Sequence, residues 1–171
     1  MDNLYSKIIR AIKLDKYLYE EVEADESALS GAMLVVILSS LASGFGGIFQ
    51  GGVLKGLFFQ SILALIGWFF WAFLIYLIGV KLLPEANTKS DIGELLRTTG
   101  FASAPGILRL FGIIPGFYLI TNFVVSIWML IAMVIAVRQA LDYTSTGRAI
   151  LVCLIGWIVQ VILTSLLIMI L

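Results

Sequence analysis

Residues 150–171 read I-L-V-C-L-I-G-W-I-V-Q-V-I-L-T-S-L-L-I-M-I-L, without a single charge. About 20 apolar residues in helical form cross a hydrocarbon core of roughly 30 Å. Backbone groups in lipid must bond within their own segment, so this run reads as a transmembrane helix. Three further runs have the same character, at 29–48, 57–80 and 117–137. A fifth, at 101–116, is shorter and irregular, and carries Pro105, Gly106, Arg109, Gly112 and Pro115.

Composition agrees with a membrane protein. Of 171 residues, 61% are hydrophobic, whereas a soluble domain is usually near half. A soluble fold this apolar would expose large sticky patches. The length suits one membrane domain. Formal net charge is zero, so no basic surplus points to nucleic acid.

Charge placement sets the expected topology. With the N-terminus cytoplasmic and five spans, the inside collects Lys7, Arg10, Lys13, Lys16, Lys81, Lys89, Arg97, Arg138 and Arg148. The outside keeps Lys55, with Arg109 near the outer end of its helix. Reading 101–116 as a re-entrant hairpin would move Arg138 and Arg148 outside, against the positive-inside rule. The expected fold is therefore an all-α bundle of five transmembrane helices with the C-terminus outside. Ser90 and the pattern Ile92, Leu95, Leu96, Thr99 predict a capped helix lying in the inner interface before the chain enters the membrane near Pro105.

Residues 1–28 form the remaining unit, a cytoplasmic amphipathic arm. Leu4, Ile8, Ile12 and Leu18 keep near-helical spacing among Lys7, Arg10, Lys13 and Lys16. That predicts an interfacial helix attracted to anionic lipid. An acidic cluster follows, with Glu20, Glu21, Glu23 and Asp25 as candidate partner-binding residues. Asp25 also suits the cap of the coming helix, where acids favour the positive dipole end.

The chain has no histidine, and Cys153 is its only cysteine. The usual Ser/His/Asp and Cys/His nucleophile systems cannot be built. His/Cys zinc sites are equally excluded. No acid lies inside a span, unlike proton-coupled transporters. The expectation is a non-enzymatic protein without cofactor or metal. The glycine-rich 44–56 stretch fits neither the dinucleotide nor the phosphate-loop pattern, since no Gly-Lys-Ser/Thr follows, and reads as a flexible turn.

Small residues recur every fourth position in the first span, as Ser39, Ser43, Gly47 and as Ser40, Gly44. Gly156, Gln160 and Thr164 do the same in the last span. Such faces pack helices closely, or form a homo-oligomer seam, or line a polar path. Arg109 and Gln160 are the candidate residues for that path or for helix contacts. Arg109 would be costly in the core unless it snorkels or serves a function.

Three stretches carry a resemblance. They are Y-E-E-V-E-A-D-E-S-A-L-S-G-A-M-L-V-V at 19–36, L-L-R-T-T-G-F-A-S-A-P-G at 95–106 followed by Ile114-Pro115, and A-V-R-Q-A-L-D at 136–142. Together they resemble the Yip-domain family of Ypt-interacting membrane proteins. The resemblance implies five spans and a cytoplasmic N-terminal segment that binds partners, at Glu20, Glu21 and Asp25 here. Eukaryotic members bind prenylated Rab-type GTPases in endoplasmic reticulum and Golgi trafficking, and associate with one another. The short arm is more similar to prokaryotic members, which implies the cell membrane. Two functions stay open: an adaptor or organiser using the arm, and a passive channel, transporter or lipid scramblase using the kinked third span.

Overall fold

The computed structural model describes residues 3–47 and 57–170, with backbone only at 167, 168 and 170. The described residues are helical, without strands. Helices α1 (Leu4–Ile12) and α2 (Lys16–Ala24) form the arm. Helix α3 spans Ala28–Gly46, and α4 spans Leu57–Ile75 before widening into a π-helix at Tyr76–Leu82. Helix α5 (Ile92–Ala102) runs into a 3-10 helix at Ala104–Ile113, and α6 (Tyr118–Ala140) and α7 (Thr146–Ile170) complete the chain. Four of these elements are long and apolar enough to cross a membrane: 28–46, 57–82, 118–140 and 146–166. Much of the 44–56 turn, including Lys55, lies outside the described residues.

The segment expected at 101–116 differs from its prediction. Residues 92–102 form a helix enclosed by its neighbours rather than one with a free polar face. Leu95 through Ala102 are all buried, and α5 packs between α2, α3, α4 and α6. Asp91 rather than Ser90 caps α5, in a capping box with Glu94: Glu94 N donates to Asp91 Oδ1 at 2.8 Å, and Asp91 N to Glu94 Oε2 at 3.0 Å. Pro105 sits in the first turn of the 3-10 helix, where its missing N–H costs little.

Close approaches fix the register of this element against α3. A Cβ on Gly100 would meet Ala32, one on Gly106 would lie 1.9 Å from Ser39 Oγ, and one on Gly46 would lie 2.1 Å from the Arg109 carbonyl. Residues 100, 106 and 109 thus track 32, 39 and 46 in order, so the element runs parallel to α3 along its length. Small residues of α3 are spent on packing within the chain. Ser39 meets Gly106, and Ser40 Oγ lies 3.0 Å from Ser61 Oγ of α4.

The arm is two helices, not one. Leu14 turns the chain at φ 61°, and Asp15 begins α2 by accepting from Tyr17 N. Leu18, Tyr19 and Val22 are fully buried with Phe101, Ala132 and Ala136, while Leu4, Ile8 and Ile12 pack alongside. The outer surface is apolar: Phe58, Leu119, Phe123 and Trp157 are all more than half exposed. That distribution suits lipid as solvent.

Candidate functional site

Two places in the molecule hold polar chemistry, one around α2 and one between the spans. At α2 the acidic cluster splits into two faces. Glu21 and Asp25 turn toward the basic residues of α1. Arg10 Nη1 donates to Glu21 Oε2 at 2.5 Å, Arg10 Nε to Asp15 Oδ2 at 2.8 Å, and Lys7 Nζ to Asp25 Oδ2 at 3.1 Å. The Ser27 hydroxyl and the Lys7 ammonium hold the Asp25 carboxyl below its usual range. Asp25 therefore does not cap α3; it ends α2 and accepts from Ser27 N and Oγ.

Glu20 and Glu23 face the other way. Glu20 accepts from Gln139 Nε2 of α6 at 2.6 Å. Burial, then the carboxylates of Glu94, Asp142 and Glu20, push the Glu23 carboxyl up to about 7 against the pull of Arg97. Three parts of the chain thus place carboxylates whose charges act on Glu23, and neighbouring like charges resist joint ionisation.

Arg97 has partners that no local sequence pattern announces. It is buried, with 8% of its surface exposed. Its Nε donates to the Val22 carbonyl at 2.9 Å and its Nη2 to the Glu23 carbonyl. The last carbonyls of a helix lack intrahelical donors and carry the negative dipole end. Arg97 satisfies both needs for α2 and ties the arm to α5. Trp128 adds a second tie, with its indole N–H donating to the Ile12 carbonyl at 2.9 Å.

The tryptophans at span centres are hydrogen-bonded rather than idle. Trp68 Nε1 donates to the Leu96 carbonyl at 3.2 Å, and Trp71 Nε1 lies 3.2 Å from Met133 Sδ. Tyr143 is buried, and its hydroxyl donates to the Gly79 carbonyl at 2.9 Å and to that of Leu83 at 2.8 Å. It serves carbonyls freed where α4 widens. Arg138 does not pair with Asp142; it donates to the Tyr143 and Thr144 carbonyls and to Thr146 Oγ1.

Between the spans lies a cavity of about 530 Å³. Ser39, Ser43, Gln60, Ser103, Arg109 and Gln160 supply its polar lining. Arg109 and Gln160, paired from sequence alone as candidates for a polar path, meet at this one cavity. Arg109 Nη2 donates to Ser126 Oγ at 3.3 Å, and its Nε is buried without an acceptor. Gly156, from the same stripe as Gln160, instead packs against Ile75 and Trp71. No group of His, Cys, Asp or Glu suited to a metal ion occurs among the described residues.

Apolar helices with lipid-facing surfaces and internally bonded polar groups define a multi-pass helical membrane protein. The Yip1 domain family model matches residues 18–168, nearly the whole chain, and the chain belongs to that family. No curated protein and no solved structure matches it.

Proposed function

We propose that this protein is a non-enzymatic membrane adaptor that receives a basic protein partner on the carboxylate face of α2. The observation that carries this reading is the placement of Glu20, Glu23, Glu94 and Asp142 on one face, where burial first and the neighbouring carboxylates second raise the Glu23 carboxyl to about 7. A cationic partner would relieve that repulsion, so its binding would take up the cost the free protein bears. Glu21 and Asp25 act differently: their ion pairs with Lys7 and Arg10 shape the arm. The resemblance to Ypt-interacting proteins supports a GTPase-like partner, and family association supports a homo-oligomer.

The topology that goes with this reading has five crossings. The α5 and 3-10 pair tracks α3 from Gly100 at Ala32 to Arg109 at Gly46. Eleven α-helical residues at 1.5 Å and ten 3-10 residues at 2.0 Å extend roughly 36 Å, enough for a bilayer core. The arm then lies in the inner interface with Tyr5 and Tyr17 exposed toward headgroups. The N-terminus is cytoplasmic and the C-terminus outside.

The test is crosslinking in native membranes with Glu20→Lys/Glu23→Lys against wild type. Charge reversal leaves Leu18, Tyr19 and Val22 in place, whereas deleting the arm would uncover Phe101 and Ala136. Loss of a specific crosslinked partner on reversal is expected. A partner retained unchanged, or none beyond the protein itself, would refute the adaptor. The cavity favours a second reading, a conduit or scramblase, for which Arg109→Ala or Gln160→Leu would change flux in loaded liposomes.

A further inference from the structure

The cavity between the spans carries an inference that stands apart from the adaptor reading. Arg109 brings a positive charge to it, and no ion pair among the described residues neutralises that charge. Every acid in the sequence falls within residues 2–26, 85–94 or at 142. The described ones belong to the arm, the start of α5 and the turns beside it, at the opposite end of the bundle from the Gly46–Arg109 contact. No carboxylate among the described residues pairs with Arg109, whose Nη2 donates to Ser126 Oγ at 3.3 Å. The buried Nε–H points at no acceptor.

The backbone is shaped to keep this guanidinium in place. In a 3-10 helix, residues three apart share a face. Gly106, Arg109 and Gly112 therefore lie on one face, and the glycines let Ser39, Met129, Gly46 and Tyr118 close in on either side. Around the cation stand hydroxyls and carboxamides: Ser39, Ser43, Gln60, Ser103 and Gln160. Each can donate a hydrogen bond, and none can ionise to an anion. An arginine fork with neutral donors and no carboxylate is a receptor for an oxyanion.

We propose that this cavity binds a phosphate group, held by Arg109 and oriented by Gln60 and Gln160. Phosphate matches the planar fork and offers acceptor oxygens for the surrounding donors. It has two sources with the same chemistry: the headgroup of a bilayer phospholipid, or free inorganic phosphate.

The experiment uses the purified full chain and native mass spectrometry. The probes are phosphatidylglycerol, diacylglycerol as a headgroup-free control, and inorganic phosphate. Wild type should retain phosphatidylglycerol at least tenfold over diacylglycerol. Arg109→Gln should lower that retention about tenfold, Arg109→Lys should fall between, and Lys89→Gln should leave it unchanged. Displacement by millimolar phosphate, or saturable phosphate binding lost in Arg109→Gln, assigns the site to the free ion. Arg109-dependent retention that phosphate does not displace assigns it to lipid. Equal retention by wild type and Arg109→Gln, an equal loss in Lys89→Gln, or no binding of either probe by wild type overturns the proposal. Should Arg109→Gln lose its helicity, Gln60→Leu/Gln160→Leu replaces it: a several-fold loss is expected, and unchanged retention overturns the site.

Discussion

Replacing Arg97 by methionine keeps most of the side-chain bulk and removes the guanidinium. In the native protein that group serves the Val22 and Glu23 carbonyls at the end of α2. Two hydrogen bonds to a charged donor are each worth about 1.5–3 kcal/mol. The favourable charge at a helix C-terminus adds about 0.3–1 kcal/mol. Removing one repulsion-relieving neighbour of Glu23 works in the same direction. Some loss is recovered because water reaches the Glu23 side of the arm. The net cost to arm docking should be about 3 kcal/mol, or roughly a hundredfold in the opening equilibrium. Hydrogen exchange of residues 16–24 in nanodiscs reads that equilibrium directly. Protection in α2 should fall about a hundredfold in Arg97→Met, while α6 and α7 hold theirs. Unchanged α2 protection would show that apolar packing of Leu18, Tyr19 and Val22 docks the arm alone, and the clamp argument would fail.

Other variants test neighbouring parts. Glu23, raised to about 7 from an ordinary 4.5, costs stability above pH 7, and that cost fades as pH falls toward 4.5. Glu23→Gln should therefore stabilise the arm by about 1–2 kcal/mol at pH 8, after allowing for solvent screening of a half-exposed group, and by nothing near pH 4; a pH-independent effect in thermal melts would contradict the burial and carboxylate repulsion that raise this group. The Tyr19 hydroxyl is buried without a partner among the described residues, so Tyr19→Phe should leave stability unchanged or raise it by about 1 kcal/mol, and a clear loss would reveal a partner. Gly106→Ala places a methyl 1.9 Å from Ser39 Oγ and should cost about 1–3 kcal/mol; Ser39→Gly should restore most of it, and a double-mutant cycle showing no coupling would disprove the register between α3 and the 3-10 helix.

Membrane class was legible because it rests on runs of uncharged residues, and the bilayer tolerates little else. The 28–46, 57–82, 118–140 and 146–166 elements fall close to runs read from hydropathy alone. Details set by backbone geometry were hidden. Leu14 takes φ 61° without being Gly, Asn or Asp, so no turn residue announces that the arm breaks in two. Asp142, at φ 52°, is a residue type that tolerates this region, and its turn is less surprising. The change from α to 3-10 after Ala102 has a signal in retrospect, the three-residue spacing of Gly106, Arg109 and Gly112. Partner choice within the acidic cluster was hidden for another reason. Glu20 and Glu21 are adjacent in sequence yet point to different elements, because neighbouring positions on a helix face about 100° apart. The roles of Arg97, Trp128 and Tyr143 depend on carbonyls 60 or more residues away, which no local pattern encodes.

The unevenness of the fifth helical element follows from what surrounds it. At its α5 end it must reach the arm, and an α-helix capped by Asp91 and Glu94 holds Arg97 rigidly under the α2 carbonyls. Further on it must pass between α3 and α6, where Ser39 and Met129 leave no room for a Cβ at Gly106. A 3-10 helix is narrower than an α-helix and rises about 2.0 Å per residue rather than 1.5 Å, so it fits that slot and covers more distance with ten residues. Its poorer hydrogen-bond geometry is offset by close packing on both sides. The same tightening aligns Arg109 with the two glycines and turns it to the cavity instead of letting its stem reach along a smooth helix face. Narrowness and the placement of Arg109 thus have one cause, the change of helix type at Ala104.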